Sequence, residues 1–173
     1  MGRQVFTARE IAVLGLLSAL LFGAKIAMAP LPNSEPVSLL VIVYTAVLGL
    51  RALVPVYVYV LLEIVTWGLG SWSFYYLYVW AVLALAALVL REMQSPLGWA
   101  VLSGAFGLCF GALCALSHGI IGGWAYALSW WISGIPFDLL HGAGNFVMAV
   151  ILFKPCKSVL SRLYYGKAGR GTI

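Results

Sequence analysis

Long apolar runs separated by short polar turns set the rhythm of this chain. Six runs fall at about residues 7–29, 37–50, 52–69, 74–90, 97–116 and 136–153. A helix needs about twenty apolar residues to cross the hydrocarbon core of a bilayer, so the pattern predicts an all-α bundle of six transmembrane helices. Thr7-Ala8-Arg9-Glu10 has the form of a capping box and marks the start of the first helix. Pro30 to Pro36, with Asn33, Ser34 and Glu35, is turn chemistry. Gly68 to Ser71 and Arg91 to Pro96 break the chain again. Residues 122–132, with Trp124, Tyr126, Trp130 and Trp131, read as a short helix lying at the membrane interface between the fifth and sixth spans.

Composition supports the pattern. The 173 residues are 64% hydrophobic and 9% charged, whereas a soluble domain carries about 25% charge. One membrane domain spanning residues 1–173 accounts for the length, with a basic tail over 154–173. The rival for residues 1–29 is a cleaved signal peptide ending at Ala27-Met28-Ala29, opposed by Lys25 in its core and Pro30 after the site. Cys109 and Cys114 match no metal or redox spacing and read as small buried apolar residues.

The net charge of +5 does not mark a nucleic-acid binder, because the cations sit between spans. Arg3, Arg9, Arg51, Arg91, Lys154, Lys157, Arg162, Lys167 and Arg170 all fall at one side of a six-span topology. The positive-inside rule makes that side, with both termini, cytoplasmic. Lys25 is the exception and maps to the outer half with Glu35, Glu63, His118, Asp138 and His141. Such groups in a membrane helix are costly, so they pair or line a wet cavity. Asp138, His141 and Asn145, three and then four residues apart, share one helical face. The rings of Trp67, Trp72, Tyr75, Tyr76, Trp124 and Trp130 map to the same half. An outward-facing polar and aromatic pocket is the expectation.

Gly15, Ala19, Gly23 and Ala27 recur every fourth residue on the first helix, a spacing that lets another helix approach closely. Lys25 lies about 140° around the helix from the middle of that stripe. The stripe serves either a partner or the protein's own helices. In the fifth helix, Gly107, Gly111 and Ala115 form a similar stripe suited to internal packing.

These features together resemble the substrate-binding membrane subunits, or S components, of energy-coupling factor (ECF) vitamin transporters. The resemblance rests on size, six spans, the stripe of the first helix and the stretch Ile135-Pro136-Phe137-Asp138-Leu139-Leu140-His141-Gly142. This stripe alternates Gly with Ala where the family's signature is alanines four apart. The family implies a vitamin or related micronutrient bound from outside, in the cell membrane of a prokaryote, beneath a closing loop that corresponds to Pro30–Pro36 and includes Asn33, Ser34 and Glu35. It implies a pocket lined by Lys25, Glu63, Asp138, His141 and Asn145 with rings from Trp67, Trp72, Tyr75, Tyr76, Trp124 and Trp130. Partners would be a membrane coupling subunit, docked on Gly15, Ala19, Gly23 and Ala27, and two cytoplasmic ATPases. No resident cofactor or metal is implied, and the chain carries no GxxxxGK[ST] phosphate loop. Lys25 either contacts substrate or forms an internal ion pair with Glu63 or Asp138. The alternatives are an intramembrane enzyme, metal-dependent through Asp138, His141, Glu63 and His118, and a structural membrane protein.

Overall fold

The computed structural model describes residues 6–30 and 35–166, and every regular element among them is helical. The elements are α1 (Ala8–Met28), α2 (Val37–Leu48), a 3-10 turn (Gly49–Ala52), α3 (Leu53–Trp67), α4 (Ser71–Val89), α5 (Pro96–Gly122) and α6 (Trp124–Tyr165). Five helical stretches among the described residues are long and apolar enough to cross a membrane, with α2 and α3 counted together as Val37–Trp67. The chain is thus a multi-pass membrane protein in form.

Local chemistry sets the ends. Thr7 accepts the Glu10 amide hydrogen at 3.2 Å, while Glu10 Oε2 accepts from the Thr7 amide at 2.9 Å, closing the expected capping box. Ser95 caps α5 by accepting from the Gly98 amide, with Pro96 in the first turn. Gly68 ends α3 and Gly123 separates α5 from α6, at φ 78° and 88°, where a side chain would be strained.

Contacts fix the directions. Glu10 meets Arg51 and Lys25 meets Glu63, so α1 and α3 run the same way. The end of α2 reaches the end of α6, where the Tyr165 hydroxyl donates to the Val47 carbonyl at 2.7 Å. The chain therefore turns back at Gly49–Ala52, leaving α2 a leg of 12 residues. At 1.5 Å per residue that is about 18 Å, too short to cross alone. Eleven of those residues are buried, so α2 is the centre of the bundle, apolar on all sides.

Arg9, at the start of α1, donates to the Leu163 carbonyl, and the Arg51–Glu10 pair also meets the Tyr164 hydroxyl. The start of α1 and the end of α6 thus share one end of the bundle.

The sequence reading misplaced three boundaries. The fifth helix does not stop at residue 116 but continues to Gly122, because Gly123 is the first residue that breaks it. Residues 122–132 are not a separate interfacial helix: from Trp124 they run without interruption into α6, which passes through Pro136 and Pro155. Proline removes one backbone donor, but in a low-dielectric setting every other backbone group still gains by staying in the helix. Ser133, just before the first proline, returns its hydroxyl proton to the Ser129 and Trp130 carbonyls. Finally, residues 154–165, expected as a solvated tail, are the last turns of α6.

α5 and α6 form the most extensive helix pair and run antiparallel. Gly107, Gly111 and Ala115 pack internally, as the spacing suggested. A Cβ on Gly107 would stand 2.8 Å from the Gly142 backbone, so the helices meet there through their main chains. The Trp99 ring stacks on Phe153 at 5.1 Å farther along the same seam.

Candidate functional site

Lys25 leaves the buried face of α1, one turn beyond Leu21. Its ammonium donates to Glu63 Oε2 of α3 at 2.6 Å and to the Tyr76 hydroxyl of α4 at 3.1 Å. It also lies over the Tyr76 and Tyr59 rings, 5.1 and 6.0 Å from their centroids. Glu63 is only 1% exposed, and its second oxygen, Oε1, has no hydrogen-bond partner among the described residues. Glu35, half-buried in the segment before α2, acts electrostatically on both Lys25 and Glu63. Desolvation pushes its carboxyl above the usual carboxylate range, with the Lys25 charge opposing.

A wall of rings runs from this pair into the bundle. Tyr76 meets Trp80 edge-on at 5.4 Å, Trp80 meets Phe110 at 5.8 Å, and Phe110 meets the His141 ring at 4.9 Å. Tyr59 and Phe106 close on Trp80 from the sides.

Beyond the wall lies the polar face of α6. Asp138 Oδ1 accepts the Gly111 backbone amide at 2.9 Å. A Cβ on Gly111 would fall 2.4 Å from the other carboxylate oxygen, so glycine makes room for the aspartate. Among the described residues that oxygen has no hydrogen bond of good geometry, though the Trp131 side chain lies close enough to interact with the carboxylate. Asn145 donates to the Ser38 hydroxyl at 3.1 Å, and its own oxygen, His141 Nε2 and Ser103 Oγ have no partner among the described residues. Buried polar atoms are normally satisfied, so a concentration of open ones is the mark of a binding or wet region.

A third cluster caps this region. His118 Nδ1 meets the Cys114 carbonyl at 3.1 Å, which makes that nitrogen the donor. Its ring stacks on Trp130 at 4.3 Å, Tyr126 at 5.8 Å and Tyr75 at 6.1 Å.

The structure thus gathers Lys25, Glu63, Tyr76, Tyr75, Trp130, Asp138, His141 and Asn145 around one aromatic wall, with Trp72 edge-on to Tyr76 at 5.3 Å. Lys25 pairs with Glu63, not with Asp138. Trp67 and Trp124 stand apart, 62% and 65% exposed, and line nothing in the interior. Asn33 and Ser34 lie outside the described residues. Trp80, one turn beyond Tyr76 on α4, is wholly buried and is the hub of the wall. Tyr59 and Phe110 were missed; the spacings Tyr59/Glu63 and Tyr76/Trp80, four apart, were the available signal. Cys109 is exposed, against expectation, while Cys114 is buried.

Gly15, Ala19, Gly23 and Ala27 all face outward. A Cβ on Gly15 or Gly23 would meet nothing within 4 Å. Among the described residues no group of three or more His, Cys, Asp or Glu side chains is placed to hold a metal ion. Comparison with known protein families, characterised proteins and solved structures finds no match to this chain.

Proposed function

We propose that this chain is the substrate-binding subunit of an ECF-type importer, capturing a vitamin-like small molecule from outside a prokaryotic cell. In this reading the chain passes through the bundle six times, the short α2 and α3 being two legs of the stretch Val37–Trp67, with both termini cytoplasmic. The described cations Arg9, Arg51, Arg91, Lys154, Lys157 and Arg162 then lie at the cytoplasmic ends. The Lys25, Asp138 and His118 clusters lie in the outer half.

One observation carries the reading: α1 has two faces with opposite jobs. Its inward face buries Leu14, Leu17, Ser18 and Leu21 and delivers Lys25 to Glu63. Its outward face presents the exposed small-residue stripe, and among the described residues nothing stands within 4 Å of where a Cβ would lie on Gly15 or Gly23. A membrane coupling subunit docks on that stripe, and two ATPases bound to it supply the energy this subunit cannot. The segment before α2, with Glu35, closes over the substrate.

Uptake should be measured in cells that express the chain with and without a coupling subunit and its ATPases. Native mass spectrometry of the purified chain identifies the co-purified substrate. Uptake at full rate without any coupling module overturns the proposal.

A further inference from the structure

The pair formed by Lys25 and Glu63 differs from a plain strut between helices. A strut would be neutral and saturated. Here Glu63 is the acid bonded to the ammonium, and Glu35 acts on it electrostatically as well. Among the described residues Glu63 keeps an unpartnered oxygen although it is 1% exposed. Around the ammonium stand the Tyr59 and Tyr76 rings, themselves 6.4 Å apart, at cation–π range. Lys25 itself is a flexible side chain that is 21% exposed, so it can withdraw where Glu63 cannot.

We infer that Glu63, Glu35 and the Tyr59 and Tyr76 rings form a recognition site for an organic cation, a protonated amine or protonated ring nitrogen, occupied in the free protein by the chain's own Lys25 ammonium. A ligand cation that takes the place of the Lys25 ammonium meets Glu63 and can donate to both of its oxygens, Oε1 included. Two N–H donors on one cationic centre can serve both carboxylates, which a carboxylate or phosphate ligand cannot do. An anionic ligand would instead set a further carboxylate or phosphate beside the Glu63 and Glu35 carboxyls, with a single ammonium among them. Lys25 acts as a competitor: it holds the cage in shape until a better-fitting cation displaces it.

The inference rests on the outer cluster being the substrate pocket, and it is tested without the coupling module. The full chain in detergent is melted with phenethylamine, phenylacetate or phenylacetamide, three probes of one ring that differ in head charge. Phenethylamine alone should raise the melting midpoint. Glu35→Gln, a change outside the helices, should weaken that effect about threefold or more. Lys25→Met should strengthen phenethylamine binding about tenfold, because the internal competitor is gone. If Lys25→Met does not fold, the Glu35→Gln comparison decides alone. Stabilisation by phenylacetate, or none by phenethylamine at millimolar concentration, overturns the inference. Failure of the importer reading appears separately, as uptake that ignores the coupling module.

Discussion

Gly107 of α5 faces Gly142 of α6 so closely that a Cβ on the first would lie 2.8 Å from the Cα of the second. This crossing holds Gly111 against Asp138 and Phe110 against His141, and so sets the depth of the polar face of α6. Gly107→Ala should therefore cost about 1–3 kcal/mol through overpacking, despite the better helix propensity of alanine. Gly23→Ala, with open space around it, should stabilise by about 0.5–1 kcal/mol. Thermal unfolding of the two variants in detergent checks the contrast; equal shifts would mean that the crossing is looser than described.

Bulk on the outer stripe should leave the subunit intact. Ala19→Leu is expected to change its stability by less than about 0.5 kcal/mol, and Gly23→Leu to raise it by about 1 kcal/mol or less. Both should sharply reduce recovery of the coupling subunit in affinity purification while sparing substrate binding. Loss of binding with assembly retained would contradict the two-face description of α1.

Removing one member of the ion pair leaves the other charge stranded. Glu63→Leu should destabilise by about 3 kcal/mol, whereas Lys25→Met with Glu63→Leu should recover most of the loss. The double-variant cycle is read from unfolding midpoints. Additive losses would show that the 2.6 Å contact contributes little.

Asp138 offers a finer distinction. Asp138→Asn keeps an acceptor for the Gly111 amide and should hold stability within about 0.5 kcal/mol. Asp138→Ala removes that acceptor from the Gly111 amide and opens space beside it, for a loss of about 1–3 kcal/mol. Comparison of melting midpoints tests this, and identical behaviour of the two variants would remove the hydrogen bond from the account.

Sequence periodicity was a good guide wherever the controlling physics was local. The capping box at Thr7, the break at Gly68 and the shared face of Asp138, His141 and Asn145 each depend on residues within a turn or two of one another. Apolar run length likewise shows the membrane character. The same reasoning failed where a distant partner decided. Glycine and proline near residues 122–136 read as an interruption, yet α6 continues because α5 packs along it. Tyr59 and Phe110 carried no signal strong enough to distinguish them from the many lipid-facing rings.

By itself, then, the sequence determined that this is an all-helical membrane chain with its chemistry in few places, because hydropathy and backbone satisfaction in a bilayer leave little else. It left open which groups meet. Only the tertiary structure paired Lys25 with Glu63 and Asp138 with Gly111, since those contacts join residues 38 and 27 positions apart. It also turned the small-residue stripe of α1 outward, a choice between two faces that depends on how α1 packs in the bundle and that spacing along one helix cannot make.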